Sequence, residues 1–246
     1  MMMTRRAVTS LAAALPVTAA AQSAPAIFAA GAVKTAVEAL LAELPEPPTV
    51  RFATVGALRD EVLAGARPRL VLLSEDALVR LDAAGLLLPG SRRSIGRTGV
   101  ALATRAGAAL PDVGTLGAFR AALLAAPSFA YADPARGATA GAHMARIFDQ
   151  LGIAEAMRAK SRLVPFGVDG VSLAAAGEVA LAASQASEII GRPGVALVGM
   201  LPDALQLWTR YGVAALRDAA EPAPLLDLFT SPAARAAFTA IGFVPS

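Results

Sequence analysis

The chain has 246 residues, 56% of them hydrophobic and only 5% aromatic, with a mean hydropathy of +0.57. That composition excludes general disorder and leaves the core to aliphatic side chains. The net charge is +3, close to neutral once Arg5 and Arg6 are set apart, and no basic run or aromatic-interleaved patch appears, which excludes an ordinary nucleic-acid binder.

The N-terminus reads as an export signal. Thr4-Arg5-Arg6 is a positive start, Ala7 to Thr18 is an apolar stretch, and Ala19-Ala20-Ala21 offers small residues for cleavage before Gln22. The arginine pair leaves both the general and the twin-arginine export routes open. An uncleaved anchor is the alternative, since no charge occurs between Ala7 and Val33. Pro16, Gln22, Ser23 and Pro25 interrupt that stretch and weigh against it. The expected product begins near Gln22 in the periplasm, without stable membrane insertion.

Strands and helices then alternate. Ile27 to Ala30 is a short apolar run, and Val33 to Leu44 carries Val33, Val37, Leu40, Leu41 and Leu44 on one helical face. Val50 to Thr54 reads as a strand and Gly56 to Leu63 as a helix. Leu70 to Leu73 is a buried strand; Ser74 N-caps a helix reaching Ala84, with Glu75 and Asp76 in its first turn. A second series follows: strand Thr98 to Arg105, helix Thr115 to Ala125, strand Ser128 to Ala132, helix Ala138 to Leu151, strand Arg162 to Val164, and helix Gly170 to Ala176. Strands Val179 to Ala183 and Val195 to Val198 come next, then an extended stretch from Leu205 to Leu216. Helices near Ala223 to Phe229 and Ser231 to Ile241 close the chain. This order predicts an α/β protein of two lobes, each a mostly parallel sheet flanked by helices, with a cleft between them. Residues 1–21 are the expected signal peptide, 22–99 with 205–246 lobe I, and 100–204 lobe II.

Several large enzyme classes are excluded. There is no cysteine and one histidine, His143. That rules out disulfides, thiolate nucleophiles and any site needing two histidines. HExxH, GxSxG, GxxxxGK[ST] and GxGxxG are all absent. What remains is a set of small-residue loops before helices: Ala30-Gly31, Thr54-Val55-Gly56, Gly137 to Gly141, and Gly167 to Gly170. Glycine lets backbone N–H groups approach an anion, and the start of a helix favours negative charge.

Five segments resemble the periplasmic molybdate-binding protein family, the type II solute-binding components of ABC importers. They are FAAGAVKTAVEALLAEL (Phe28 to Leu44), TVGALRDEVLAGARPRLVLLSED (Thr54 to Asp76), YADPARGATAGAHMARIFDQLGI (Tyr131 to Ile153), GEVALAASQASEII (Gly177 to Ile190) and FTSPAARAAFTAIGF (Phe229 to Phe243). The resemblance implies a monomer that closes on a small anion, needs no cofactor or metal, and hands its cargo to an importer permease. It implies ligand contacts at Ala30, Gly31, Thr54, Val55, Gly56, Arg136, Thr139, Ala140, Gly167, Val168 and Gln185. Three departures stand out. Gly31 replaces the family's first binding serine, only Thr54 keeps a hydroxyl at the second, and Gln185 stands where the family has a tyrosine. Gln185, Ser187 and Glu188 together resemble a divergent branch that includes aconitate isomerase-like proteins, which act on small polycarboxylates. On that branch His143 or Glu188 would move a proton, and Arg136, Arg59 and Lys34 would hold carboxylates. Each has a structural reading beside the functional one: His143 as a packing residue, Arg136 and Arg59 as solvated arginines, Glu188 as a hinge acceptor. Asp133 reads as a turn cap before Pro134. Trp208 and Tyr211 read as packing near the return to lobe I.

Overall fold

The computed structural model describes residues 26–245; the expected signal peptide lies outside the described residues. Nine strands run β1 (Ile27–Ala30), β2 (Val50–Ala53), β3 (Leu70–Ser74), β4 (Arg93–Arg105), β5 (Phe129–Ala132), β6 (Ser161–Val164), β7 (Leu181–Gln185), β8 (Val195–Met200) and β9 (Trp208–Ala215). Helices are α1 (Lys34–Leu41), α2 (Val55–Leu63), α3 (Glu75–Ala83), α4 (Leu116–Ala125), α5 (Thr139–Gln150), α6 (Ala154–Arg158), α7 (Gly167–Ala176), α8 (Ala223–Thr230) and α9 (Pro232–Ala240). A 3₁₀ turn at Gly31–Val33 leads into α1, and another at Ala186–Glu188 follows β7.

The strand order is β2-β1-β3-β9-β4-β7-β5-β6, with β8 also on β4. β1 pairs in parallel with β2 and β3, and β5 in parallel with β6 and β7. The inner strands β1, β3 and β7 are apolar or small-residue and buried, as in sheets covered on both faces, while the edge strands β2 and β6 are partly exposed. β4 joins the two parallel groups. Its Arg93–Gly99 half pairs antiparallel with β9, and its Val100–Ala103 half with β7. One apolar core gathers Ile27 to Leu87 with Tyr211 to Phe243, around Leu72, Phe229 and Phe238. A second gathers Val100 to Leu205, around Phe119, Phe129 and Phe148. The α/β, two-lobed expectation holds in this sense.

Helix starts follow local chemistry. Thr54, Ser74, Thr115 and Ser231 accept from the N–H three residues on, capping α2, α3, α4 and α9. Two elements begin three or more residues earlier than expected, while β7 (Leu181–Gln185) and β9 (Trp208–Ala215) begin two and three residues later. β4 begins at Arg93, five residues before the expected start, because pairing with β9 holds its polar first half extended. α7 begins at Gly167, since the Asp169 carboxylate accepts the Phe166 N–H at 3.1 Å and organises the first turn.

Two features set the cleft between the cores. Gly141 lies on α5 where an added Cβ would fall 2.0 Å from the Ala132 carbonyl oxygen, so this helix packs directly on the end of β5. Across the cleft, Gly56 donates to the Gly137 carbonyl at 3.2 Å, and the Thr54 hydroxyl donates to the Arg136 carbonyl at 2.5 Å. These two bonds form a seam joining the lobes.

Candidate functional site

A cleft of about 230 Å³ lies between the cores. The first lobe supplies Ala30, Gly31 and Lys34 from the end of β1 onward, Phe52 to Val55 from the end of β2 onward, and Tyr211 from β9. The second supplies Ala138 to Ala140, Phe166 to Asp169, and Ser184, Gln185 and Glu188. The loops all lie at strand C-terminal ends, where α/β sheets place ligands.

The donors are mainly backbone groups. α5 begins after Ala138 and α7 after Phe166, and neither N-cap side chain accepts a hydrogen bond. First-turn N–H groups have no partner inside their own helix. Thr139, Ala140, Gly167 and Val168 therefore offer oriented donors to an anion in the cleft. Thr54 behaves differently. Its oxygen accepts from Ala57 and its proton goes to Arg136, so this hydroxyl serves the seam although the residue lines the cleft.

Glu188 occupies the centre. A Cβ added to Gly31 would lie 2.7 Å from its Oε1, and one added to Gly167 would lie 2.6 Å from its Oε2. The carboxyl group thus sits between the lobes, in space that a serine at Gly31 would take. Ser184 is hydrogen-bonded to Oε2 and lies against Gly167 as well. Burial pushes the Glu188 carboxyl above its ordinary pKa; Ser184, Arg192 and the Gln185 backbone oppose that shift, and Asp169 adds to it. A neutral carboxyl can donate a hydrogen bond to an anion, whereas a carboxylate would repel it. Tyr211, fully buried and packed edge-on against Phe243, has its hydroxyl pushed upward by burial and then by Glu188.

Of the expected contacts, Ala30, Gly31, Thr54, Val55, Thr139, Ala140, Gly167, Val168 and Gln185 line this cleft. Gly56 and Arg136 lie at the seam, where they act through backbone atoms. His143 is away from the cleft wall; its Nε2–H donates to the Leu205 carbonyl at 2.7 Å. Burial lowers its pKa, the Leu205 bond opposes this, and Arg146 adds to it. Asp133 caps its turn by accepting from Ala135. Of the expected cations, only Lys34 lines the cleft; its Nζ stands 3.6 Å from Glu38 and 5.3 Å from the centre of the Phe52 ring. Arg59 is bound to Asp60 and lines a neighbouring pocket. The sequence reading passed over Ser184, Phe166 and Asp169. The spacing of Ser184 and Glu188 across the end of β7 was the available signal for the first. Among the described residues no cluster of acidic or histidine side chains is arranged to hold a metal ion.

This fold and cleft define the two-lobed periplasmic binding class. Residues 25–244 match the family model for bacterial extracellular solute-binding proteins, and the chain belongs to that family. It is similar in structure to the periplasmic molybdate-binding protein of Azotobacter vinelandii (TM-score 0.74, 18% identity, covering 89% of this chain and 98% of that one). A similar likeness holds to the substrate-binding domain of a putative molybdenum ABC transporter from Clostridium difficile (TM-score 0.65, 15% identity, 89% and 97%). A curated protein, the aconitate isomerase of a Pseudomonas species, is 34% identical over 154 residues, 62% of this chain. The match spans 57% of that relative's length. No helix among the described residues is long and apolar enough to cross a membrane.

Proposed function

We propose that this chain is an exported solute-binding protein that closes its lobes, 22–99 with 205–246 and 100–204, over a small carboxylate anion for delivery to an importer permease. The observation that carries this reading is a single cleft lined by the first turns of α5 and α7, with the Glu188 carboxyl seated between Gly31 and Gly167. Oriented backbone donors hold an anion without covalent chemistry. A carboxylate suits the wall better than a tetrahedral oxyanion. Gly31 brings no hydroxyl and Thr54 spends its own, while burial favours the protonated form of Glu188, whose O–H can donate to one carboxylate oxygen. At about 230 Å³ the cleft is also several times the roughly 30 Å³ share of one water.

The same Glu188 supports a second reading, a polycarboxylate isomerase, to which the aconitate isomerase relative lends weight. With its pKa raised by burial, its ionised form is a stronger base than an exposed glutamate. It would take a proton from the methylene beside a carbon–carbon double bond and return it to the far alkene carbon. The double bond moves one position and no atom is lost.

The test is thermal unfolding of the chain from Gln22 onward with cis- and trans-aconitate, citrate, molybdate, tungstate and sulfate. A bound ligand stabilises by about 2.7 kcal/mol at a hundredfold excess over its Kd. Shifts with the carboxylates and none with the tetrahedral anions are expected; the reverse pattern overturns the carboxylate reading. Interconversion of the aconitates, lost in Glu188→Gln with binding retained, would decide for the isomerase.

A further inference from the structure

On the far side of the seam lies a second cavity of about 530 Å³. Val55 and Thr139 line both cavities, so it backs directly on the cleft. Its distinctive feature is arginine. Arg59 comes from α2, Arg80 from α3, Arg97 from β4 and Arg210 from β9. Arg97 and Arg210 are direct partners in the antiparallel pairing of β4 and β9. Directly opposite residues share a face with Cβ atoms about 5 Å apart, and like charges placed so are destabilising. Trp208 precedes Arg210 by two residues on the same face, and the Arg97 guanidinium stacks on its ring at 4.9 Å from the centroid. Stacking orders the guanidinium but leaves its in-plane donors free for other partners.

Those donors lack acceptors. Among the described residues no carboxylate lies within ion-pair distance of Arg80, Arg97 or Arg210, and the Arg97 Nε is buried without any hydrogen-bond partner. A buried donor left without an acceptor is destabilising. Glu75 and Asp76, at the start of α3, also line the cavity without pairing to these arginines. Two opposed cations and an orphaned guanidinium donor therefore share one walled cavity.

We propose that this cavity is a second anion site, distinct from the cleft, in which Arg97 and Arg210 bind the carboxylate or phosphate group of a small molecule. The bound oxyanion accepts from the Arg97 fork and neutralises the repulsion between the two strands. Gly137 and Thr139 form part of its wall from the second lobe, so the site is complete only when the lobes are closed. The inference does not depend on what the main cleft carries.

The probes are inorganic phosphate and tricarballylate, titrated calorimetrically into the full exported chain. Arg210→Gln and Arg97→Gln are the test variants. Arg120→Gln, which removes an exposed arginine bonded only to the Leu151 carbonyl, controls for net charge. Glu188→Gln separates out binding in the main cleft. At least one probe should bind the parent chain and lose tenfold or more in affinity in both test variants, with Arg120→Gln unchanged and the same tenfold loss on removing either arginine seen again in the Glu188→Gln background. Whichever probe retains that pattern identifies the anion chemistry. Binding to neither probe overturns the site, as does an equal loss in Arg120→Gln or a loss in Glu188→Gln with none in the two arginine variants.

Discussion

Glu188 is the residue on which cleft chemistry turns. Its folded-state pKa is raised, so the folded chain holds the proton more tightly than the unfolded one. The associated stability is present below the ordinary glutamate pKa and is lost as pH rises through the raised folded value. Glu188→Gln should therefore unfold at a higher temperature than the parent at pH 8, by a few degrees, with the gap closing toward pH 4; calorimetric scans across that range decide it. Carboxylate binding should weaken on the same rise in pH and become flat in the variant. His143 runs the other way. Its pKa is lowered, so acidification below about 6.5 should cost stability as the ring is forced to charge. A His143→Gln chain that loses stability on acidification just as the parent does would show that the ring has no part in it. At this scale the sequence was partly legible. Glu188 and Lys34 were visible as chemistry, but a glycine's role as a seat for another residue's carboxyl depends on two loops 157 positions apart.

Elements carry the closure. Gly56 and Gly137 meet so closely that a Cβ on Gly56 would lie 2.8 Å from the Gly137 Cα. Gly56→Ala should hold the lobes apart and weaken ligand binding by about tenfold or more, roughly 1.4 kcal/mol, with the unfolding midpoint of the free chain little changed. Titration of the same carboxylate into both chains reads it. Gly141→Ala, pressed on the Ala132 carbonyl, should instead lower stability by about 1–3 kcal/mol, measured in urea. Helices with hydroxyl caps were legible because the cap is local: Ser74 and Ser231 open α3 and α9 where their sequence placed them. The first half of β4 and the short α6 were not. Arg93 and Ser94 have no strand signature of their own and are held by β9, more than a hundred residues away, while α6 has only five residues to show a period.

At the scale of the molecule, the two cores are joined by long strands rather than loops. β4 passes from one sheet group to the other at Gly99–Val100, and Gln206 braces that point by bonding both backbone groups of Val100. Gln206→Ala should loosen this brace and raise hydrogen exchange at Val100 while the distant β1 amides stay protected. The alternation of strands and helices announced two α/β units, yet only the pairing of β9 with both β3 and β4 shows how the chain's two ends complete one lobe.

That pairing also orders events in time. A ribosome, or a translocation pore, delivers this chain from its N-terminus. The stretch from Val100 to Leu205 arrives whole and contains every residue of its own core. The first lobe does not: until Trp208–Ala215 emerges, β3 presents a bare edge and the first half of β4 has no partner. The half that begins first must finish last, and during that interval the apolar β1–β2–β3 ribbon is the segment most in need of a chaperone's cover.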